Sequence, residues 1–222
     1  MKSQSQSQMS ETFLLGIILA IAGGFLDAYT YLARGHVFAN TQTGNIVLLG
    51  VNLAEGSFIK ASYYIIPIMA FTVGVVIAET IRNRHIETDN LHWRQIVIVV
   101  EIIVLIIVAF IPYGQWNTIA NALVSLVCSM QVQSFRKFDD NLFATTMCTG
   151  NLRSGAEHMI RYRQTKDRNL LSRGMQYYGI IISFIIGAAL GVWFTSRLDT
   201  YAVMVCCIFL TMAFIMMFIK RE

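Results

Sequence analysis

Charged residues are scarce in this chain of 222 residues, of which 14% are Asp, Glu, Lys or Arg and 55% are hydrophobic. A soluble domain typically carries about 25% charged residues, so the composition excludes an ordinary soluble domain. Several apolar runs reach about twenty residues, the length of a helix that crosses a bilayer. The chain is therefore predicted to be an all-α, multi-pass membrane protein.

Proline and paired metal ligands are also scarce. The chain has two prolines and no long polar linker, which predicts a single transmembrane domain over residues 12–222 after a disordered tail, residues 1–11, rich in Gln and Ser. The four cysteines lie in or beside apolar runs without metal-ligand spacing, so no metal and no cofactor are expected. No nucleophile and base stand out together, so an intramembrane enzyme is the weakest interpretation.

A polar motif occurs twice in this apolar chain. Residues 40–45 read Asn-Thr-Gln-Thr-Gly-Asn, and residues 146–151 read Thr-Met-Cys-Thr-Gly-Asn. One strongly polar residue, Asp27 or Gln133, lies in the apolar run eighteen positions before the last Asn of each motif. The predicted solute or ion pathway consists of Asp27, Thr41, Thr43, Gly44, Asn45, Gln133, Thr149, Gly150 and Asn151.

The apolar runs predict six transmembrane helices, near residues 12–33, 57–80, 94–111, 116–135, 175–196 and 200–219. A basic stretch, residues 161–173, is predicted to be a loop before the fifth. Two further segments, residues 41–54 and 145–160, begin at the motifs and are shorter than the roughly twenty residues of a full crossing. Each is predicted to be a re-entrant half-helix.

The distribution of Lys and Arg favours re-entry. With both half-helices re-entrant, only Arg34, Lys60 and Arg197 lie outside, and all other Lys and Arg are cytoplasmic, as the positive-inside rule requires. Full crossings would make the split nearly even. Each half then has three crossings, so the second half is inverted relative to the first. This predicts a 3+3 inverted-topology repeat, residues 12–112 and 116–220, with both termini cytoplasmic.

Residue numbers support the repeat. Adding 106 carries Asp27 onto Gln133 and Gly44 onto Gly150. With seven more residues for the longer basic stretch, Gly74 falls on Gly187.

The start of a half-helix inside a membrane has backbone N–H groups without helical partners. The hydroxyl of Thr43 or Thr149 is expected to cap its own helix, and Gly44 and Gly150 allow close approach of a backbone or a solute. The partial positive charge of a helix amino end favours an anionic or carbonyl-bearing solute. These features predict a small-solute transporter or channel with its site between the two Thr-Gly-Asn helix ends.

Two acidic residues lie in predicted transmembrane helices. A charged Asp at the membrane centre costs about 2.5 to 3.5 kcal/mol, so one hypothesis is that Asp27 binds a proton or a cation during transport. The alternative is that its carboxylate accepts hydrogen bonds from the opposite half-helix. Glu101 is expected to reach Arg94 or the membrane interface by snorkelling.

The strings Gly23-Gly24-Phe25-Leu26-Asp27-Ala28-Tyr29 and Phe38-Ala39-Asn40-Thr41-Gln42-Thr43-Gly44-Asn45 resemble the YoaK-like family of bacterial membrane proteins. The resemblance covers essentially the whole chain after the tail. It implies a multi-pass protein of the bacterial plasma membrane and supplies no substrate, because the family has no known function.

A second function class remains open beside transport. The basic cytoplasmic loops would suit a membrane-embedded scaffold or sensor that binds a protein partner. A water-accessible cavity reaching both motifs favours transport, and motifs packed dry favour a structural role. The sequence leaves open the solute, the coupling ion, the choice between channel and alternating access, and whether the protein forms a homo-oligomer.

Overall fold

A computed structural model describes residues 12–84, 93–135, 145 and 148–218. The regular elements in those residues are eight α-helices and one short 3₁₀ helix (Asp199–Ala202), and the predicted tail, residues 1–11, lies outside them. The helices are α1 (Phe13–Ala33), α2 (Gln42–Ala54), α3 (Phe58–Arg84), α4 (Trp93–Ala109), α5 (Asn117–Ser134), α6 (Cys148–Thr165), α7 (Arg168–Leu198) and α8 (Val203–Met216).

The basic stretch, residues 161–173, was predicted to be a loop, and this is wrong. It is helical except at a short turn, because α6 continues to Thr165 and α7 begins at Arg168. Arg and Leu are good helix formers, and the side chain of Asp167 caps α7 by accepting from the Asn169 N–H at 2.9 Å. Helix α3 also extends past its predicted end, residue 80, to Arg84. Apolarity alone therefore predicted α3 and α6 to end too early.

Within the residues that the structure describes, three segments are long and apolar enough to cross a membrane: Phe13–Ala33, Phe58–Arg84 and Arg168–Met216. The third contains both α7 and α8. Many large apolar side chains on these helices are exposed, for example Met69 at 59% and Ile185 at 60%, as expected of surfaces that face lipid.

Glycines bring the longest helices into close contact. A Cβ atom on Gly24 of α1 would meet the Phe184 carbonyl of α7, and one on Gly187 of α7 would meet the Ile21 carbonyl of α1. The α3 and α5 helices pack in the same way, because a Cβ atom on Gly74 would meet the Leu126 carbonyl. Small residues at such contacts let helix backbones approach within van der Waals distance in lipid.

A buried arginine joins the carboxyl ends of α1 and α4 at what we call the Arg34 end of the bundle. Arg34 is 1% exposed and donates to the carbonyls of Val108 and Ile111, each at 2.9 Å, and to the Tyr29 hydroxyl at 3.0 Å. The Arg34 carbonyl accepts from the side chain of Asn121, near the start of α5, at 2.8 Å. These bonds satisfy carbonyls that a helix end leaves without partners.

The opposite end of the bundle, which we call the Glu79 end, holds the carboxyl ends of α3 and α5 and the start of α4. The Gln133 amide donates to the Glu79 carboxylate at 2.8 Å, and Arg94 donates to the Ser134 carbonyl at 3.0 Å. Helices α3 and α5 therefore run parallel, and α4 runs antiparallel to both.

Replacing Gly187 by Ala should push α1 and α7 apart, because the new methyl group overlaps the Ile21 backbone. We expect the free energy of unfolding to fall by about 1 to 3 kcal/mol, the usual cost of overpacking, measured by thermal unfolding in detergent. Gly50→Ala is the matched control, since no atom lies within 4 Å of the new Cβ. Equal melting of the two variants would contradict the close α1 and α7 contact.

Candidate functional site

Asp27 holds the chain just before α2. This residue lies on α1 and is 5% exposed. Its carboxylate accepts from the Asn40 backbone N–H at 2.7 Å and from the Thr41 hydroxyl at 2.6 Å. The Asn40 side chain also donates to the Gly23 carbonyl of α1 at 3.2 Å. The loop after α1 therefore folds back along α1 by more than one turn before α2 begins.

Asn45 fixes the same loop from the other side. Its side-chain amide donates to the Phe38 carbonyl at 2.6 Å and to the Gln42 side-chain oxygen at 3.0 Å, while its oxygen accepts from the Phe38 N–H at 3.2 Å. The Gln42 amide in turn donates to the Ala39 carbonyl at 2.8 Å. Both hydrogens of the Asn45 amide are thus used within the protein, so this side chain shapes the loop.

The predicted threonine caps are wrong. Helix α2 begins at Gln42, its N-cap residue is Thr41, and the Thr41 side chain makes no capping hydrogen bond; its hydroxyl donates to Asp27 instead. Thr43 lies inside the first turn of α2, and Thr149 lies inside α6, which begins at Cys148. The sequence suggested Thr43 as the cap because threonine favours the position before a helix. Helix α2 already begins at Gln42, so Thr43 is inside the helix and Thr41 precedes it.

The start of α6 lies close to the same carboxylate. Cys148, the first residue of α6, interacts electrostatically with Asp27. The two motifs also expose their residues alike: Thr43 and Thr149 are exposed, while Asn45 and Asn151 are buried. Cys148 at the start of α6 is thus within electrostatic range of the carboxylate that holds the start of α2.

Gly44 and Gly150 differ in the space before them. A Cβ atom on Gly44 would lie 3.1 Å from the Phe38 ring, whereas one on Gly150 would meet no atom of the described residues within 4 Å. Within the described part of the chain, the open space at the motifs is thus in front of α6.

Gln133 is separated from the first motif. Its amide donates to Glu79 on α3, at the Glu79 end, and the residue is partly exposed. Gln131, two positions earlier, is 1% exposed and donates to the Leu19 carbonyl of α1 at 3.3 Å. The chain between Gln133 and the second motif lies outside the described residues, apart from residues 134, 135 and 145.

Sequence reasoning missed several buried oxygens. Among the described residues, the side-chain oxygens of Asn40 and Gln131 and both carboxyl oxygens of Glu101 have no hydrogen-bond partner. Unpartnered buried oxygens are rare in proteins. Glu101 is 0% exposed, so the predicted snorkelling is wrong: the side chain points into the bundle. The sequence signal for a buried Glu101 was its position within a run of Ile and Val residues.

A cavity of about 450 Å³ opens at the Arg34 end. Its lining residues are Leu32, Ala33, Tyr113, Val192, Thr195, Ser196 and Asp199. None of them belongs to either motif. The described residues contain no group of three or more His, Cys, Asp or Glu side chains that could hold a metal ion.

Apolar exposed helices around a buried polar loop define a helical integral membrane protein. Residues 15–216 match the family described as protein of unknown function (DUF1275), and the chain belongs to that family. It is 24% identical over 180 residues to the UPF0700 transmembrane protein YoaK of Bacillus subtilis (strain 168), which covers 77% of this chain and 78% of that relative. No solved structure matches. The resemblance to the YoaK-like family is confirmed.

Replacing Asp27 by Ala should release the loop from α1, because the Asn40 N–H and the Thr41 hydroxyl lose their acceptor. We expect the free energy of unfolding to fall by about 3 kcal/mol, with a smaller loss for Asp27→Asn, which keeps one acceptor oxygen. Thermal unfolding in detergent measures both.

Asp199→Asn is the control for this comparison, because Asp199 is exposed. Its change should stay within about 0.5 kcal/mol. Wild-type melting of Asp27→Ala would show that the carboxylate does not hold the loop.

Proposed function

We propose that this protein is a small-solute transporter or channel whose site lies between the amino ends of α2 and α6. The observation that carries the proposal is the position of Asp27, which binds Thr41 before α2 and interacts electrostatically with Cys148 at the start of α6. Two short helices that start inside a membrane present partial positive charge to one place. That arrangement suits an anionic or carbonyl-bearing solute.

Both short helices are re-entrant in this proposal. Helix α1 ends at the Arg34 end, and α3, which follows α2 after a short turn, reaches the Glu79 end only at its carboxyl terminus. Helix α2 therefore starts beside Asp27 and returns to the Arg34 end, which supports re-entry. Likewise, α5 ends at the Glu79 end. Helix α7 packs parallel to α1, with Gly179 beside Phe13 and Gly191 beside Phe25, so α7 starts at the Glu79 end. Helix α6 therefore leaves from and returns to the Glu79 end.

The helix contacts support a 3+3 inverted repeat. If α1 to α4 are exchanged with α5 to α8, the packing of α1 on α7 becomes that of α5 on α3, and α2 on α3 becomes α6 on α7. The α4 and α5 pair likewise becomes α8 and α1, and all of these pairs are in contact. Inverted repeats with broken helices at the midplane are a common plan of secondary transporters.

The charge distribution orients this repeat. The Glu79 end carries Arg82, Arg84 and Arg94, together with the basic turn between α6 and α7, whereas the Arg34 end carries Arg34, Lys60 and Arg197. By the positive-inside rule the Glu79 end faces the cytoplasm. We therefore propose a multi-pass protein of the bacterial plasma membrane with cytoplasmic termini.

The side chains available to a solute follow from the hydrogen bonds. Asn45 is used in the loop, while Thr43, Thr149 and Gly150 are exposed. We assign solute contact to Thr43, Thr149 and Gly150. Asp27 and Asn45 position the helix end.

Two observations favour the second function class, a scaffold or sensor. The cavity at the Arg34 end does not include either motif, and basic side chains at the α6 and α7 turn, including Arg163 and Lys166, are exposed at the Glu79 end, where a partner could bind. A transporter closed on both sides would present the same geometry. Flux therefore decides between the two classes.

Purified protein in vesicles should speed the flux of at least one small anion or carbonyl compound, tested with formate, acetate, urea and acetamide by stopped-flow light scattering. Gly150→Leu should abolish this flux, because the side chain fills the open space in front of the motif. Gly50→Leu is the matched control: it also enters open space on a short helix, away from the helix start, and should transport normally.

Failure of all four solutes to cross faster than in empty vesicles would contradict this solute class. Wild-type flux through Gly150→Leu would place the pathway elsewhere.

A further inference from the structure

Glu101 stands at the midpoint of α4, eight residues from either end and so about 12 Å along the axis from each. It is 0% exposed, and neither carboxyl oxygen has a hydrogen-bond partner among the described residues. A lone carboxylate charge in such surroundings is very costly, whereas the uncharged acid is tolerated far better. The resting form of this structure is therefore the acid.

The titratable groups near Glu101, among the described residues, are thiols. Cys128 on α5 and Cys206 and Cys207 on α8 interact electrostatically with Glu101. From α3 and the 3₁₀ helix, which also pack on α4, no charged group among the described residues interacts with it. A hard cation such as Na⁺ or Ca²⁺ needs several oxygen ligands, and thiols do not supply them. A proton needs only the carboxyl group itself.

Cys128 links this place to the solute site. It also interacts electrostatically with Asp27, and its sulfur lies beside the Asn40 side chain. Glu101 and Asp27 are therefore both near the same residue of α5. Asp27 differs from Glu101 in its partners, because Asn40 and Thr41 donate hydrogen bonds to both of its oxygens and give its carboxylate a structural role in the loop.

We propose that Glu101 is the proton-binding residue of the transport cycle. The carboxylate takes a proton from water on one side of the membrane and, as the acid, releases it to water on the other side when the pathway changes access. This inference rests on the proposed transport function. It moves the predicted proton site from Asp27 on α1 to the centre of α4.

Infrared spectroscopy on purified protein tests proton binding without any solute. We expect a protonated-carboxyl band that is absent in Glu101→Gln, shifted in Glu101→Asp, and lost reversibly from the wild type as the pH rises. Glu79→Gln is the matched control, since Glu79 is partly exposed and paired with Arg82 and Gln133; it should keep the band. Absence of the band, or a band that no pH change removes, would overturn the proposal.

Vesicle flux separates this proposal from the proposed function. With any solute of the panel that crosses, Glu101→Gln should lose the pH dependence of flux, while Glu79→Gln, the same change at a carboxylate outside the site, should keep it. Unchanged pH dependence in Glu101→Gln would overturn the assignment of the proton to Glu101 and leave transport standing. A titrating Glu101 in a protein that moves no solute would instead reject transport and leave proton binding standing. Gel filtration confirms that each variant is folded.

Discussion

Backbone N–H and C=O groups inside a bilayer must find partners within the protein, since lipid offers none. The loop before α2 meets this requirement with side chains: Asp27 accepts from Asn40 and Thr41, and Asn45 pairs with both backbone groups of Phe38. These bonds allow a non-helical segment to lie along α1. The starting point of α2, and with it the position of the candidate site, depends on them.

Much of the helical order could be predicted from sequence because it follows from apolar length. Helix α1 ends where predicted, at Ala33, and α2 begins one residue after its predicted start. The extension of α6 and α7 through the basic stretch could not be read in this way, because those turns are polar and form by helix propensity and the Asp167 cap. The partner of Asp27 was also out of reach, since it depends on the path of the loop.

The candidate site shows the same division. The Thr-Gly-Asn motifs and Asp27 stood out in the sequence because they are polar in apolar surroundings, but residue type alone did not show that Asp27 and Glu101 differ in their hydrogen-bond partners. One carboxylate has donors on both oxygens, and the other has none among the described residues. That difference is tertiary, because the donors to Asp27 come from a loop thirteen or more positions away.

The central claim is that α2 and α6 enter the membrane from opposite sides and return. Single cysteines at Glu55, between α2 and α3, and at Gln164, before the turn from α6 to α7, test it most directly in a background with the four native cysteines replaced. Labelling of intact cells and of inverted vesicles with an impermeant maleimide should modify Glu55→Cys only from outside and Gln164→Cys only from inside. Modification of both from the cytoplasmic side would mean that the short helices cross fully, and would contradict the account.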